Sequence, residues 1–315
     1  MSADLAEEVV AVEAPPDGER SRRVPRLQRV PRKPLNPRAL LISYALSVLS
    51  CVLAAVLFNL TVVSQFQHEN AQRSLYGKLR LTLAEGSAPV GQTDINGQLV
   101  APGTPVALLQ IPVLGINEVV VEGTSSTQTK QGVGHRRDTP LPGQPGVSIL
   151  MGRQAAYGGV FGHIDELKPE DLITTTTGQG TATYRVIGVR TDTTRLPALG
   201  ADQGRLLLIS ASGLPFMPDG TVRVDAALVG KAFPRPAPVF ASGAINPDEQ
   251  ALAGDYSNAV PLSWLLELLI LIAVGGVVAW KRWDHRAAWI VFTPLIVVTS
   301  LACADRICDL LPNLV

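Results

Sequence analysis

Three long apolar runs constrain this chain more than any other feature. The first is ALLISYALSVLSCVLAAVLFNLTVV, residues 39–63, which holds no charged side chain. The second is VPLSWLLELLILIAVGGVVAW, residues 260–280, broken only by Glu267. The third is AAWIVFTPLIVVTSLAC, residues 287–303, shorter and containing Pro294. A helix of about 20 apolar residues crosses a bilayer, so each run predicts a transmembrane helix. They also explain why charged residues are 17% of the chain, against about 25% in soluble proteins. The formal net charge is zero, which gives no electrostatic reason to expect nucleic acid as a partner.

Basic residues set the expected orientation. Arg20, Arg22, Arg23, Arg26, Arg29, Arg32, Lys33 and Arg38 precede the first run, and KRWDHR, residues 281–286, separates the second from the third. Basic flanks stay in the cytoplasm. Residues 64–259 and the tail 304–315 are then extracytoplasmic, in a multi-pass cell-membrane protein with a cytoplasmic N-terminus. A cleaved signal peptide fits the first run poorly, because its apolar part is too long. Residues 1–38 have no periodic apolar face and read as a disordered cytoplasmic tail.

Residues 64–103 read as a stalk and linker. Leu75, Leu79 and Leu83 recur at helical spacing, and Gly-rich polar sequence follows. From 104 to 231 the texture becomes mainly β: PVALLQI, EVVVEG, GVSILMG, DLITTTT, TATYRVIGVR, RLLLIS and TVRVDAALV alternate with turn residues. In TATYRVIGV, Ala182, Tyr184 and Val186 share one face, and Thr183, Arg185 and Ile187 the other. Residues 232–259, with Pro234, Pro236 and Pro238, read as an extended tether back to the membrane.

The cysteines are Cys51, Cys303 and Cys308. The last two would meet only if the third helix ended between them, since an i,i+5 pair on one helix points apart. No Cys/His cluster outside the membrane has metal-ligand spacing, so neither metal nor cofactor is expected. Asp165, Glu166, Glu170 and Asp171 read as a solvated acidic loop.

LLQIPVLGINEVVVEGT, QGVGHRRDTPLPGQPGVSILMGR and AAYGGVFGHIDELKPEDLITTTTGQGTATYRVIGV, in that order, resemble the sortases of actinobacteria, of the class E or D kind. The resemblance covers most of residues 105–230. It implies a sortase-like closed β-barrel ectodomain, here with one N-terminal and two C-terminal transmembrane helices. It also implies a membrane-anchored cysteine transpeptidase using a cysteine, a histidine and an arginine. Carried over, the histidine position falls on Arg153. The cysteine position falls on Ala211, with Ser210 and Ser212 beside it. The arginine position falls on Arg223 or, in another alignment, Thr221. Arginine does not exchange a proton near neutral pH, and alanine offers no nucleophile. The resemblance therefore implies a degenerate site without the cysteine and histidine.

Three functions follow as expectations. The first is a non-catalytic binding or scaffold module for a secreted or membrane envelope protein, with Arg153, Ser210, Ser212, Arg223 and Thr221 as binding candidates. Arg153 would dock an anionic group there, or else pair with an acid on the surface. The second is a rebuilt serine transpeptidase or hydrolase, with Ser210 or Ser212 attacking and His163 or Asp165 as base. The third lies in the membrane, at Glu267 and the close-packing Gly275-Gly276 pair. His135 and His163 read as surface or loop polar residues.

Overall fold

A computed structural model describes residues 37–191, 198–241, 243–256, 259–282 and 285–315. Expectations for residues 1–36 lie outside these. The chain separates into residues 1–43, of which only the first turns of a helix are described, and residues 44–315. Helix α1 (Pro37–Phe58) continues through a π turn, Asn59–Val63, into α2 (Ser64–Ala84). The barrel strands are β1 (Pro105–Ile111), β2 (Ile116–Glu122), β3 (Val133–His135), β4 (Gly146–Met151), β5 (Leu172–Thr177), β6 (Gly180–Arg190), β7 (Gly204–Leu214) and β8 (Met217–Val229). A single turn, α3 (Ser126–Thr129), lies between β2 and β3. Two long helices close the chain, α4 (Ala259–Arg282) and α5 (His285–Leu310). Among the described residues, the helices over Leu46–Ala84, Ala259–Ala279 and Arg286–Leu310 are long and apolar enough to cross a membrane.

The β region is a closed eight-stranded barrel in the order β1-β2-β3-β4-β7-β8-β6-β5. The β2/β3 and β4/β7 pairs are parallel and the others antiparallel. Period-two patterning decides which side chains fill it. On β6, Ala182, Tyr184 and Val186 are buried in the core, while Arg185 and Ile187 are exposed. On β7 both faces are apolar. Leu206 and Leu208 point into the barrel, and Leu207, Ile209 and Ala211 point out, yet all five are buried. A strand buried on both sides requires a second layer over its outer face.

Tyr184 carries one polar atom into the core. The backbone N–H of Gly143 donates to its hydroxyl at 2.6 Å, and burial pushes the phenol up to about 12. Tyr184→Phe leaves that N–H unpaired and is expected to cost about 1–3 kcal/mol, read as a shift in the denaturation midpoint.

Outside the barrel the expected stalk is docked. Leu75 and Leu79 of α2 pack on Val119 and Val121 of β2, with Leu83 and Leu108 at the edge. Gln72 accepts from Val119 N at 2.8 Å and donates to Gln131 O at 2.8 Å.

The segment expected as a tether back to the membrane is a strap along the barrel. Phe233 N donates to Gly143 O, Val239 N and Phe240 N donate to Gln92 Oε1, and Gly243 N donates to Asp138 Oδ2. Its prolines remove donors, and flanking residues supply the bonds.

The helix α5 runs past its expected end at residue 303 to Leu310, with Pro294 inside it. Cys303 and Cys308 therefore share one helix, buried and unbridged. Gly275 and Gly276 face the Phe292 ring, so this close-packing pair serves the chain's own hairpin. Glu267 lies on an exposed face of α4.

Candidate functional site

The parallel register of β4 and β7 pairs Met151 with Ile209. Gly152 N, just past β4, donates to Ile209 O at 3.1 Å, and Arg153 follows it. The antiparallel β7/β8 register pairs Ala211 with Thr221 and Ile209 with Arg223. Residues opposite one another on neighbouring strands share a face. Ala211, Thr221 and Arg223 thus share one outer surface of β7 and β8, and Arg153 lies two residues past the end of neighbouring β4. Arg223 Nε lies 3.4 Å from Thr221 Oγ1.

Arg153 is not on the surface, and among the described residues no surface acid pairs with it. It is 1% exposed. Its Nη2 donates to Ser126 Oγ at 2.7 Å and to Ser126 O at 3.3 Å, and its Nη1 donates to Val315 O at 2.7 Å. The guanidinium stacks 5.0 Å from the centre of the Tyr157 ring. Burial lowers its pKa to about 10, which leaves it charged at neutral pH. Burial also raises the Tyr157 phenol. Lys130 shares the ring, 5.1 Å from its centre, and pairs with Asp309 and Asp305 at the end of α5.

The outer face is covered by the last residues of the chain. Leu314 packs on Met151, Leu207, Ile209 and Ala211, joined by Ala251 and Leu252 of the strap. Asn313 Nδ2 donates to Thr124 O at 2.6 Å and to Gln250 O at 2.8 Å. Asn313 N donates to Ala253 O, and Gln154 N donates to Leu314 O at 2.8 Å. Asn313, Leu314 and Val315 are fully buried. Residues 311–315 are thus the second layer that the apolar outer face of β7 required.

The two serines do not face this surface. Ser210 alternates with Ala211, so its side chain lies on the barrel side, fully buried and with no hydrogen-bond partner for Oγ. Ser212 Oγ donates to Asp219 Oδ1 at 2.8 Å. His163 is exposed and sits 3.0 Å from Glu166. His163 bonds to Glu166 instead, and Ser212 to Asp219.

His135 was expected at the surface and is 1% exposed. Its Nδ1 lies 2.8 Å from Glu122 Oε2 and its Nε2 lies 3.0 Å from Pro140 O. Burial opposes its charge most strongly, but Glu122, the bond to Pro140 O and Asp138 together outweigh burial and raise the pKa. Two acceptors on two ring nitrogens call for the imidazolium.

Sequence reasoning missed Ser126, Thr124, Gln154 and Asn313. These polar residues in loops show no periodicity, and their roles depend on partners 27–189 positions away. Among the described residues no group of His, Cys, Asp and Glu could hold a metal ion.

Residues 109–222 match the family model of the sortase domain. A curated relative, sortase D of Bacillus subtilis strain 168, is 26% identical over 132 residues, 41% of this chain. The chain spans 64% of that relative's length. Solved structures similar to it include a sortase D5 transpeptidase of Clostridium perfringens, at 20% identity and TM-score 0.41, covering 52% of this chain and 98% of that one. Another is sortase E1 of Streptomyces coelicolor with a tripeptide in its active site, at 22% identity and TM-score 0.37, covering 42% and 93%.

Proposed function

We propose that this chain, which carries a sortase domain, is a multi-pass membrane protein of the cell envelope whose barrel binds without cutting. The barrel lies outside the cytoplasm, and the protein is a catalytically silent relative of the actinobacterial class E or D sortases. One observation carries the reading: Arg153, two residues past β4, and Ala211 on β7 are both covered by the segment 311–315, through Val315 and Leu314 respectively. Arg153 keeps its proton at neutral pH and is held by Ser126 and Val315, so it serves neither as base nor as acid. Ala211 brings no nucleophile. The neighbouring serines are turned away: Ser210 Oγ is buried with no bonded base among the described residues, and Ser212 Oγ is held by the Asp219 carboxylate rather than by a histidine. The partner class is a secreted or membrane envelope protein.

The test is incubation of the full-length protein in lipid nanodiscs with envelope extract, followed by intact mass measurement and peptide mapping over Ser210 and Ser212. An unchanged mass is expected. An acyl or peptidyl adduct on either serine overturns the proposal in favour of a rebuilt serine transferase.

A further inference from the structure

We infer that the outer face of β4 and β7 is a site for a turn-forming peptide carrying asparagine followed by an aliphatic residue, and that residues 311–315 of this chain, which turn with Val315 N donating to Pro312 O at 3.1 Å, are its resident ligand. The inference deepens the proposed function and rests on its reading of this face as a binding site.

The contacts divide into those that read sequence and those that do not. Gln154 N binds Leu314 O, Arg153 Nη1 binds Val315 O, and Ala253 O accepts from Asn313 N. All three use the peptide's backbone and read no side chain, so they would hold any segment making the same turn. The Leu314 position is different, because Met151, Leu207, Ile209 and Ala211 offer it apolar surface. Leu314 is fully buried there, so a polar side chain would lose its water without compensation.

Asn313 is the sharper reader. Both amide hydrogens point at carbonyl oxygens, Thr124 O and Gln250 O. Its Oδ1 is buried without a partner. The position therefore selects a doubly donating group, and a carboxylate of the same shape would meet two acceptors and no donor. Its walls are backbone from the loop before α3 and from the strap. Thr124 Oγ1 locks them together by donating to Glu249 O at 2.6 Å.

The ligand is an arm on a helix end. Residues 311–315 follow Leu310, the last residue of α5. Lys130 and Asp309 pin that end to the barrel. A peptide of the same chemistry arriving from outside must displace an arm that is tethered and so present at high effective concentration.

The experiment uses full-length protein in nanodiscs and a fluorescent peptide with the sequence of residues 309–315, Asp-Leu-Leu-Pro-Asn-Leu-Val. Leu314→Asp puts a carboxylate against the apolar face and is expected to release the arm. The peptide is expected to bind this variant at least about tenfold more tightly than wild type, by fluorescence anisotropy. Replacing the peptide's asparagine with aspartate is expected to weaken binding at least about tenfold. Equal binding by variant and wild type, or by the two peptides, overturns the inference.

A second measurement needs no disruptive variant. A photoreactive leucine analogue at position 314 is expected to crosslink to the segments holding Met151 and Ile209, and excess peptide to reduce the yield. Crosslinks elsewhere, or a yield that the peptide leaves unchanged, overturn it. The failures are separable. A covalent adduct with intact peptide competition overturns the silent site alone, and an unmodified protein without competition overturns the peptide site alone.

Discussion

His135→Leu is expected to destabilise the barrel by about 3–5 kcal/mol, the cost of stranding one partner of a buried ion pair. Glu122 is 3% exposed, and His135 Nδ1 at 2.8 Å supplies its counter-charge. Leucine fills similar space but leaves that carboxylate and Pro140 O without a donor. The loss would appear as a lower midpoint in chemical denaturation followed by tryptophan fluorescence or circular dichroism. A change under about 1 kcal/mol would mean that the pair is not formed as described.

The same pair predicts a pH dependence with a definite sign. The folded-state pKa of His135 is raised above its ordinary value of 6.5. The folded state then holds its proton to higher pH than the unfolded state does. The stabilisation is complete below about 6.5, and it disappears as pH rises through the folded-state value. Wild-type stability should fall over that alkaline range, and His135→Leu should lack that component.

Gly134→Ala is the second large effect. A methyl group at Gly134 would lie 2.4 Å from the backbone oxygen of Gly123 and 3.3 Å from Thr124 Cα. Neither is the flexible end of a side chain, so main chain must move. Strand β3 is three residues long and links β2 to β4 in the closed barrel. Separating it strains the closure, at an expected cost of about 3 kcal/mol. The displaced loop also carries Thr124, whose carbonyl accepts from Asn313. Hydrogen exchange at residues 313–315 should therefore quicken in the variant. Unchanged exchange together with unchanged stability would contradict the close approach.

The β6 alternation shows what was legible. Ala182, Tyr184 and Val186 face inward because a strand has a period of two and the barrel has one dry side. The stalk leucines were legible for the same kind of reason, since Leu75 and Leu79 recur at one helical turn. Arg153, Ala211 and Thr221 were found as positions; strand register pairs the last two, and the segment 311–315 joins Arg153 to the same face. Their surroundings were not legible. Nothing within a few residues of Arg153 says whether its charge meets water, an acid or a backbone oxygen.

His135 shows the same division. A histidine between two glycine-rich turns looks exposed by composition. It is buried because β3 pairs with the end of β2 and sets it against Glu122, 13 residues away. Prolines and small residues in the segment leading to α4 are compatible with a free tether and with a docked strap. Hydrogen bonds from Val239 and Phe240 to Gln92, more than 140 residues away, decide between them.

Local chemistry alone determined three helices long and apolar enough to cross a membrane, the mainly β domain and the inward and outward face of its strands. These depend on apolar length and periodicity, which neighbouring residues carry. Tertiary structure alone decided that Arg153 is buried, that both serines face away from the site, and that Asn313 and Leu314 close it. Those outcomes rest on contacts across as many as 189 residues, where register and chain closure choose the partner and local pattern has no say.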